Sequence, residues 1–86
     1  MEFREELRDF LLGKFPGAEI VDLDANPRSK RLGGVLAWPE FGPLTPLERQ
    51  NKLWAALRTQ FPADKLRQIS MIITFTPEEL QAVDEP

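Results

Sequence analysis

The sequence contains no cysteine and no histidine. Zinc, copper and iron sites are built mainly from Cys thiolates and His imidazoles, so only metals with oxygen ligands remain possible. The same absence excludes Cys–His and Ser–His–Asp catalysis and leaves carboxylate, lysine or hydroxyl chemistry for any enzyme. Without disulfides, the hydrophobic core alone must hold the fold. We therefore expect a protein that binds rather than catalyses, without a cofactor.

Long apolar runs are also missing. No segment approaches the roughly 18 apolar residues that span a bilayer, and residues 1–6 lack the cationic and apolar stretches of a signal peptide. Together these features predict a cytoplasmic location without membrane association. The 86 residues are 42% hydrophobic and 29% charged, with a net charge of −3. This composition predicts one globular domain over residues 1–86, because so short a chain has no room for a second core.

Hydrophobic periodicity predicts six elements in the order α-β-β-α-β-α. Helices are expected over residues 3–12 and 46–60, followed near the end by a short helix that carries Leu80 and Val83. Strands are expected over residues 19–24, 35–38 and 69–75. Because Asn26-Pro27 and Gly33-Gly34 have turn chemistry, residues 24–33 are predicted to form a long basic loop. The elements together predict an α+β fold, a three-stranded mixed sheet with helices on one face.

Local patterns also predict helix starts and buried faces. Thr45-Pro46-Leu47-Glu48 and Thr76-Pro77-Glu78-Glu79 both have the form of a capping box with proline at the first helical position. In the second helix, the residues at helical spacing are Leu47, Leu53, Trp54, Leu57 and Phe61. In the last strand, strict alternation predicts one face that packs against the helices, formed by Ile69, Met71, Ile73 and Phe75.

A predicted strand is followed by Pro39-Glu40-Phe41, and Arg49 lies eight residues later in the next helix. This ordered set of motifs resembles the BolA-like family. The likeness extends over nearly the whole chain, through Trp54-Ala55-Ala56-Leu57, Ile69-Ser70-Met71 and Thr76-Pro77-Glu78-Glu79. The resemblance implies a class II KH-like fold. It also implies a small non-enzymatic regulator that partners a monothiol glutaredoxin around an iron–sulfur cluster, or that binds nucleic acid.

The sequence departs from that family at the metal ligands. Family members carry a ligating histidine just before the last strand, where this chain has Arg67 when aligned on Ser70, or Gln68 when aligned on Thr76-Pro77. Neither side chain can replace an imidazole. The loop ligand of the family, Cys or His, is also missing from residues 24–34. The resemblance therefore implies an adaptor for a glutaredoxin-like protein, which binds through the loop and the region around Arg67 without supplying a metal or iron–sulfur ligand.

The alternative interpretation is a nucleic-acid-binding regulator on a KH-like scaffold. Its cations would be Arg49 and Lys52 of the second helix together with Arg28, Lys30 and Arg31 of the basic loop. Three loop cations offer about three phosphate contacts, which bind weakly at physiological salt. The Gly-x-x-Gly loop of KH domains would fall at residues 42–45, which read Gly-Pro-Leu-Thr. The net charge of −3 also weighs against this alternative.

Two further groups of residues were candidates for function. Trp38 ends a strand beside Pro39, so we expect a partly exposed aromatic side chain suited to an interface, whereas Trp54 is expected in the core. Asp22 and Asp24 share one face of the first strand and could hold a hard metal ion or do acid–base work. Two ligands are too few for Ca²⁺, so a solvated strand face explains them better.

Overall fold

The computed structural model describes residues 2–84 and shows an α+β fold, as predicted. A single turn of 3-10 helix over Pro39–Phe41 follows the second strand. The helices are α1 Phe3–Lys14, α2 Pro46–Gln60, α3 Ala63–Leu66 and α4 Pro77–Asp84, and the strands are β1 Glu19–Ala25, β2 Leu32–Ala37 and β3 Ile69–Phe75. The short helix α3 was not predicted, so the order is α-β-β-α-α-β-α. Within residues 2–84, no helix has the length and apolar character required to cross a membrane.

The three strands form one mixed sheet in the order β1-β2-β3. Strand β2 pairs antiparallel with β1 and parallel with β3. The two glycines Gly33 and Gly34 lie inside β2 rather than in the turn predicted for them. The connection between β1 and β2 is therefore only residues 26–31, shorter than expected. Glycine suits this strand because a Cβ at Gly34 would lie less than 3.0 Å from the Asp22 carbonyl oxygen of β1.

The core lies between one face of the sheet and the helices α1 and α2. Leucines from both helices are fully buried against the sheet residues Leu36 and Ile72. An aromatic cluster closes one end, where the Trp38 ring meets Phe15 and Phe41 edge to face at centroid distances of 4.9 and 5.1 Å. The helical residues of this core are Leu7, Leu11, Leu53, Ala56 and Leu57.

The predicted buried face of β3 is confirmed at Ile69 and wrong at Met71 and Ile73. Ile69 and Ile72 are buried, whereas Met71 and Ile73 are 60% and 42% exposed. The cause is an irregularity in the pairing with β2, where Leu32 is opposite Ile69 but Gly33 is opposite Met71. One extra residue in β3 reverses the side-chain alternation after it. Met71 and Ile73 therefore lie on the sheet face that the helices leave open.

The predicted apolar stripe of α2 is correct only in part. Leu53, Leu57 and Phe61 are buried, but Trp54 is half-buried and Leu47 is 70% exposed. Leu47 lies in the first turn of the helix, beyond the edge of the core. In α4, Leu80 is half-buried, whereas the Val83 side chain lies outside the described part of the protein.

Candidate functional site

The basic loop between β1 and β2 is held by hydrogen bonds to one asparagine. The Asn26 side-chain oxygen Oδ1 accepts from the backbone N–H groups of Arg28 and Ser29 at 2.8 and 3.1 Å. The Asn26 carbonyl accepts from the Lys30 N–H at 2.8 Å, and the Asn26 N–H donates to the Arg31 carbonyl at 2.8 Å. Asparagine is well suited to such turns. The loop therefore has a defined conformation, in which Arg28, Lys30 and Arg31 are all exposed.

Lys30 adopts a left-handed backbone conformation with φ of 64°. For a residue with a Cβ this conformation costs about 1–2 kcal/mol, and the hydrogen bonds to Asn26 hold it in place. Non-glycine residues in strained conformations are often found at binding sites. The sequence carried no signal for this strain, because neither glycine nor asparagine occupies the position.

The loop lies beside the segment that precedes β3. The Leu32 N–H donates to the Gln68 carbonyl at 2.7 Å, which brings Gln68 to the end of the loop. A depression of about 410 Å³ lies here, between the loop, the start of α1 and Gln68. Its lining is Glu2, Phe3, Arg4, Asp24, Ala25, Lys30, Leu32 and Gln68. Lys30 and Gln68 therefore line one surface depression, while Arg67 is exposed at the end of α3 next to Gln68.

Helix α1 supplies part of this surface, which the sequence did not indicate. Phe3 and Arg4 line the depression, and the Arg4 guanidinium donates to Asp24 Oδ1 at 2.8 Å. The ion pair joins the start of α1 to the end of β1. Both partners are largely exposed, so the pair adds little to stability. Its effect is to place an exposed cation and a half-buried aromatic ring beside Lys30.

Arg49 does not contribute to a positive surface, contrary to the nucleic-acid interpretation. It is only 6% exposed. Its Nε atom donates to the carbonyls of Phe41 and Leu44 at 3.0 and 3.1 Å, and its two terminal nitrogens donate to the Glu79 carboxylate at 2.6 and 3.1 Å. Arg49 therefore joins the turn before α2 to the start of α4. Its role is structural.

The same contacts perturb Glu79. The Arg49 guanidinium, helped by the Thr76 backbone N–H, lowers the pKa of the Glu79 carboxyl from 4.5 to about 2. The Thr76 N–H donates to Glu79 Oε1 at 2.8 Å, while the Glu79 N–H donates to the Thr76 hydroxyl at 3.1 Å. This is the predicted capping box of the last helix. The sequence could not show that its carboxylate also binds an arginine 30 residues earlier.

Trp38 is a core residue and not the exposed interface residue that was predicted. The residue is 5% exposed. Its indole nitrogen Nε1 donates to the Pro16 carbonyl at 2.9 Å, so the polar end of the ring is also satisfied inside the protein. The strand end beside Pro39 is covered because the Phe15 ring and the Pro16 carbonyl lie against the indole. Trp38 therefore cannot stack on a base or a partner side chain.

Lys52 lies away from the basic loop, in a groove between α1 and α2. This groove has a volume of about 490 Å³ and contains no residue of the loop depression. Lys14 of α1 is the second cation of its lining, which also includes Phe15, Trp38, Ala55, Ala56 and Thr59. The five cations of the nucleic-acid interpretation are therefore not one surface: Arg49 is buried, and Lys52 belongs to another groove.

Residues 42–45, at the position of the KH phosphate-binding loop, lead into a helix start that already makes hydrogen bonds within the protein. The Thr45 N–H donates to Glu48 Oε1 at 2.8 Å, and the Glu48 N–H donates to the Thr45 hydroxyl at 3.2 Å. The capping box at the start of α2 is thus confirmed. A carboxylate already occupies the helix N-terminus, where a phosphate would otherwise bind. This contact disfavours phosphate binding at residues 42–45.

The acidic residues of β1 do not assemble a metal site. In residues 2–84, no three carboxylates lie close enough to hold a metal ion. Asp22 and Asp24 are exposed, and Asp24 binds Arg4. Both carboxylates therefore lie on a solvated part of the strand, and one of them is held in a surface ion pair.

Comparison of the chain with family models, curated proteins and solved structures gives no match. The resemblance to the BolA-like family therefore rests on the motifs and their spacing alone.

Proposed function

We propose that this protein is a small non-enzymatic adaptor of BolA-like type that binds a protein partner at the loop surface. We define the loop surface as Arg28, Lys30, Arg31, Arg67 and Gln68. The observation that carries the proposal is the depression beside Lys30 and Gln68, which lies where the family resemblance places partner contacts. The partner is expected to be a monothiol glutaredoxin, by resemblance to that family. The chain has no thiol or imidazole, so it would bind without supplying a cluster ligand.

The chemistry of the loop surface suits an acidic protein surface. Lys30 and Arg4 line the depression with the Gln68 amide, the half-buried ring of Phe3 and the carboxylates of Glu2 and Asp24. The other cations of the loop surface, Arg28, Arg31 and Arg67, are exposed outside the depression. Protein interfaces combine an apolar centre with a charged rim, and the rim determines the orientation and rate of association. Nucleic-acid binding is the weaker candidate because Arg49 and Trp38 are buried and Lys52 lies elsewhere.

A titration with two variants tests the proposal. The loop variant replaces Arg28, Lys30 and Arg31 with alanine, and the control variant replaces Lys14 and Lys52, the cations of the other groove. Each protein is titrated by calorimetry with a cluster-free monothiol glutaredoxin, and by fluorescence anisotropy with a single-stranded oligonucleotide. Three interfacial charges at about 0.5–1 kcal/mol each predict a Kd for glutaredoxin raised about tenfold or more in the loop variant. The control variant should bind within about twofold of the native protein.

Two outcomes would contradict the adaptor. One is absence of glutaredoxin binding by the native protein at any attainable concentration. The other is oligonucleotide binding that falls steeply with salt and is lost in the loop variant, because this dependence reports phosphate contacts. The second outcome would establish the nucleic-acid alternative instead.

A further inference from the structure

The sheet face opposite the helices carries apolar side chains where a solvated face normally carries polar ones. Met71 and Ile73 of β3 are 60% and 42% exposed on this face. Their partners on the neighbouring strand β2 are Gly33 and Val35 respectively. A sheet with one solvated face usually alternates apolar and polar residues along each strand, but β3 contains no charged residue. We call these four residues the apolar patch.

The apolar patch lies at the end of the sheet nearest the basic loop. The next pair along the strands, Ala37 and Phe75, is buried and half-buried, so the exposed part of the face ends there. The outer edge of β3 is covered by α2, whose Gln50 side chain donates to the Ile72 carbonyl at 2.8 Å. Another protein would therefore contact β3 through the side chains of the patch, and not by adding a strand to the sheet.

The patch surrounds a depression of about 230 Å³, and its lining is Asp22, Gly33, Gly34, Val35, Met71 and Ile73. Gly33 contributes to the depression because it has no side chain between Asp24 of β1 and Met71 of β3, its partners on either side. Pockets of this kind at the centre of an interface receive the apolar side chains that contribute most to affinity. The one charged residue of the lining, Asp22, is exposed on the β1 side.

Arg31 of the loop surface continues the same sheet face. The Asn26 N–H donates to the Arg31 carbonyl at 2.8 Å, so the pairing between β1 and β2 extends to Arg31. Leu32, the next residue, is buried in the core. Because successive side chains of a strand point to opposite faces, Arg31 lies on the same face as Gly33 and Val35. A cation of the loop surface therefore borders the apolar patch.

We propose that the protein partner of the loop surface also covers the apolar patch, an inference that rests on the proposed function. The loop surface by its definition supplies cations and one amide but no apolar side chain, whereas protein interfaces combine an apolar centre with a polar rim. The patch supplies that centre, and Arg31 belongs to the rim. The matching partner surface is an apolar projection that enters the depression. It carries carboxylates on the side facing Arg31 and none on the side facing Asp22, because like charges across an interface are unfavourable.

Three single variants test the contribution of the patch. Met71→Gln and Ile73→Thr replace exposed apolar side chains with polar ones of similar size. The control is Leu12→Gln on α1, because Leu12 is 40% exposed against 42% for Ile73 and lines neither the loop depression nor the patch depression. Each variant is titrated by calorimetry with cluster-free monothiol glutaredoxin, beside the native protein and the loop variant. We expect each patch variant to raise the Kd about fivefold or more, and the control to remain within about twofold.

A nuclear magnetic resonance titration locates the interface without any substitution. Isotope-labelled native protein is titrated with the unlabelled glutaredoxin, and we expect the amide signals of residues 33–35 and 71–73 to shift together with those of residues 28–31. Two results would overturn the inference and leave the adaptor function standing. One is a loop variant that binds weakly while both patch variants bind like the native protein, and the other is shifts confined to the loop. Absence of glutaredoxin binding by the native protein would overturn both proposals.

Discussion

The neighbouring glycines of β2 give a sharp test of the packing, because alanine at each should have a very different effect. At Gly34, an added Cβ would lie less than 3.0 Å from the Asp22 carbonyl oxygen and 3.1 and 3.3 Å from two atoms of Leu23. Two of these three atoms belong to the β1 backbone and cannot rotate away. At Gly33, the nearest atoms are the Ser70 hydroxyl oxygen at 3.2 Å and the Met71 carbonyl oxygen at 3.5 Å.

The magnitudes follow from what must move. In Gly34→Ala, β1 has to move away from β2 by several tenths of an ångström to make room for the new methyl group. Overpacking of this kind costs about 1–3 kcal/mol. Gly33→Ala requires a small adjustment of one side chain, and alanine reduces the entropy of the unfolded chain by about 0.4–1 kcal/mol. Neither glycine has a positive φ, so backbone strain does not contribute to the difference in stability between the two alanine variants. We expect Gly33→Ala within about 1 kcal/mol of the native protein and Gly34→Ala about 2 kcal/mol less stable.

The free energy of unfolding is measured by urea denaturation at 25 °C, with tryptophan fluorescence and far-UV circular dichroism as independent probes. For a domain of this size, about 2 kcal/mol corresponds to a Tm lower by roughly 8–16 °C. Equal stabilities of the two alanine variants would refute the close approach of β1 to Gly34. A Gly33→Ala variant less stable than Gly34→Ala would refute the looser surroundings of Gly33.

Two further predictions concern a carboxylate and a strained residue. Because the folded pKa of Glu79 is about 2 against 4.5 ordinarily, its ion pair stabilises the fold above pH 4.5 and this contribution is lost as the pH falls towards 2. Glu79→Gln should therefore lower the free energy of unfolding at pH 7 and make it less dependent on pH between 4.5 and 2, as measured by urea denaturation. The control Glu78→Gln replaces an exposed carboxylate and should follow the native curve. Identical pH dependence of the two variants would contradict the ion pair between Glu79 and Arg49. Lys30→Gly should raise the free energy of unfolding by about 0.5–1 kcal/mol relative to Lys30→Ala, because glycine adopts the left-handed conformation without cost. A glycine variant no more stable than the alanine variant would show that the Lys30 backbone is not strained.

Local sequence determined the elements that depend on near neighbours. Both capping boxes, the bounds of α2 and β3, and the α+β class were predicted correctly, because each depends on residues a few positions apart. The absence of cysteine and histidine likewise limits the chemistry of the protein without reference to its fold. The basic loop was recognised from its three cations, although its length was overestimated.

Tertiary structure decided what local pattern could not. Arg49 and Trp38 are both buried because distant segments, at Glu79 and Pro16, supply the partners that satisfy their polar atoms. The open face of β3 depends on one extra residue in its pairing with β2, and a shift of one residue moves a side chain to the other face of a sheet. Gly33 and Gly34 resemble a turn in sequence, but in the fold they pair with both β1 and β3 and lie inside a strand. Such contacts join residues far apart in the chain, and for that reason composition and periodicity do not reveal them.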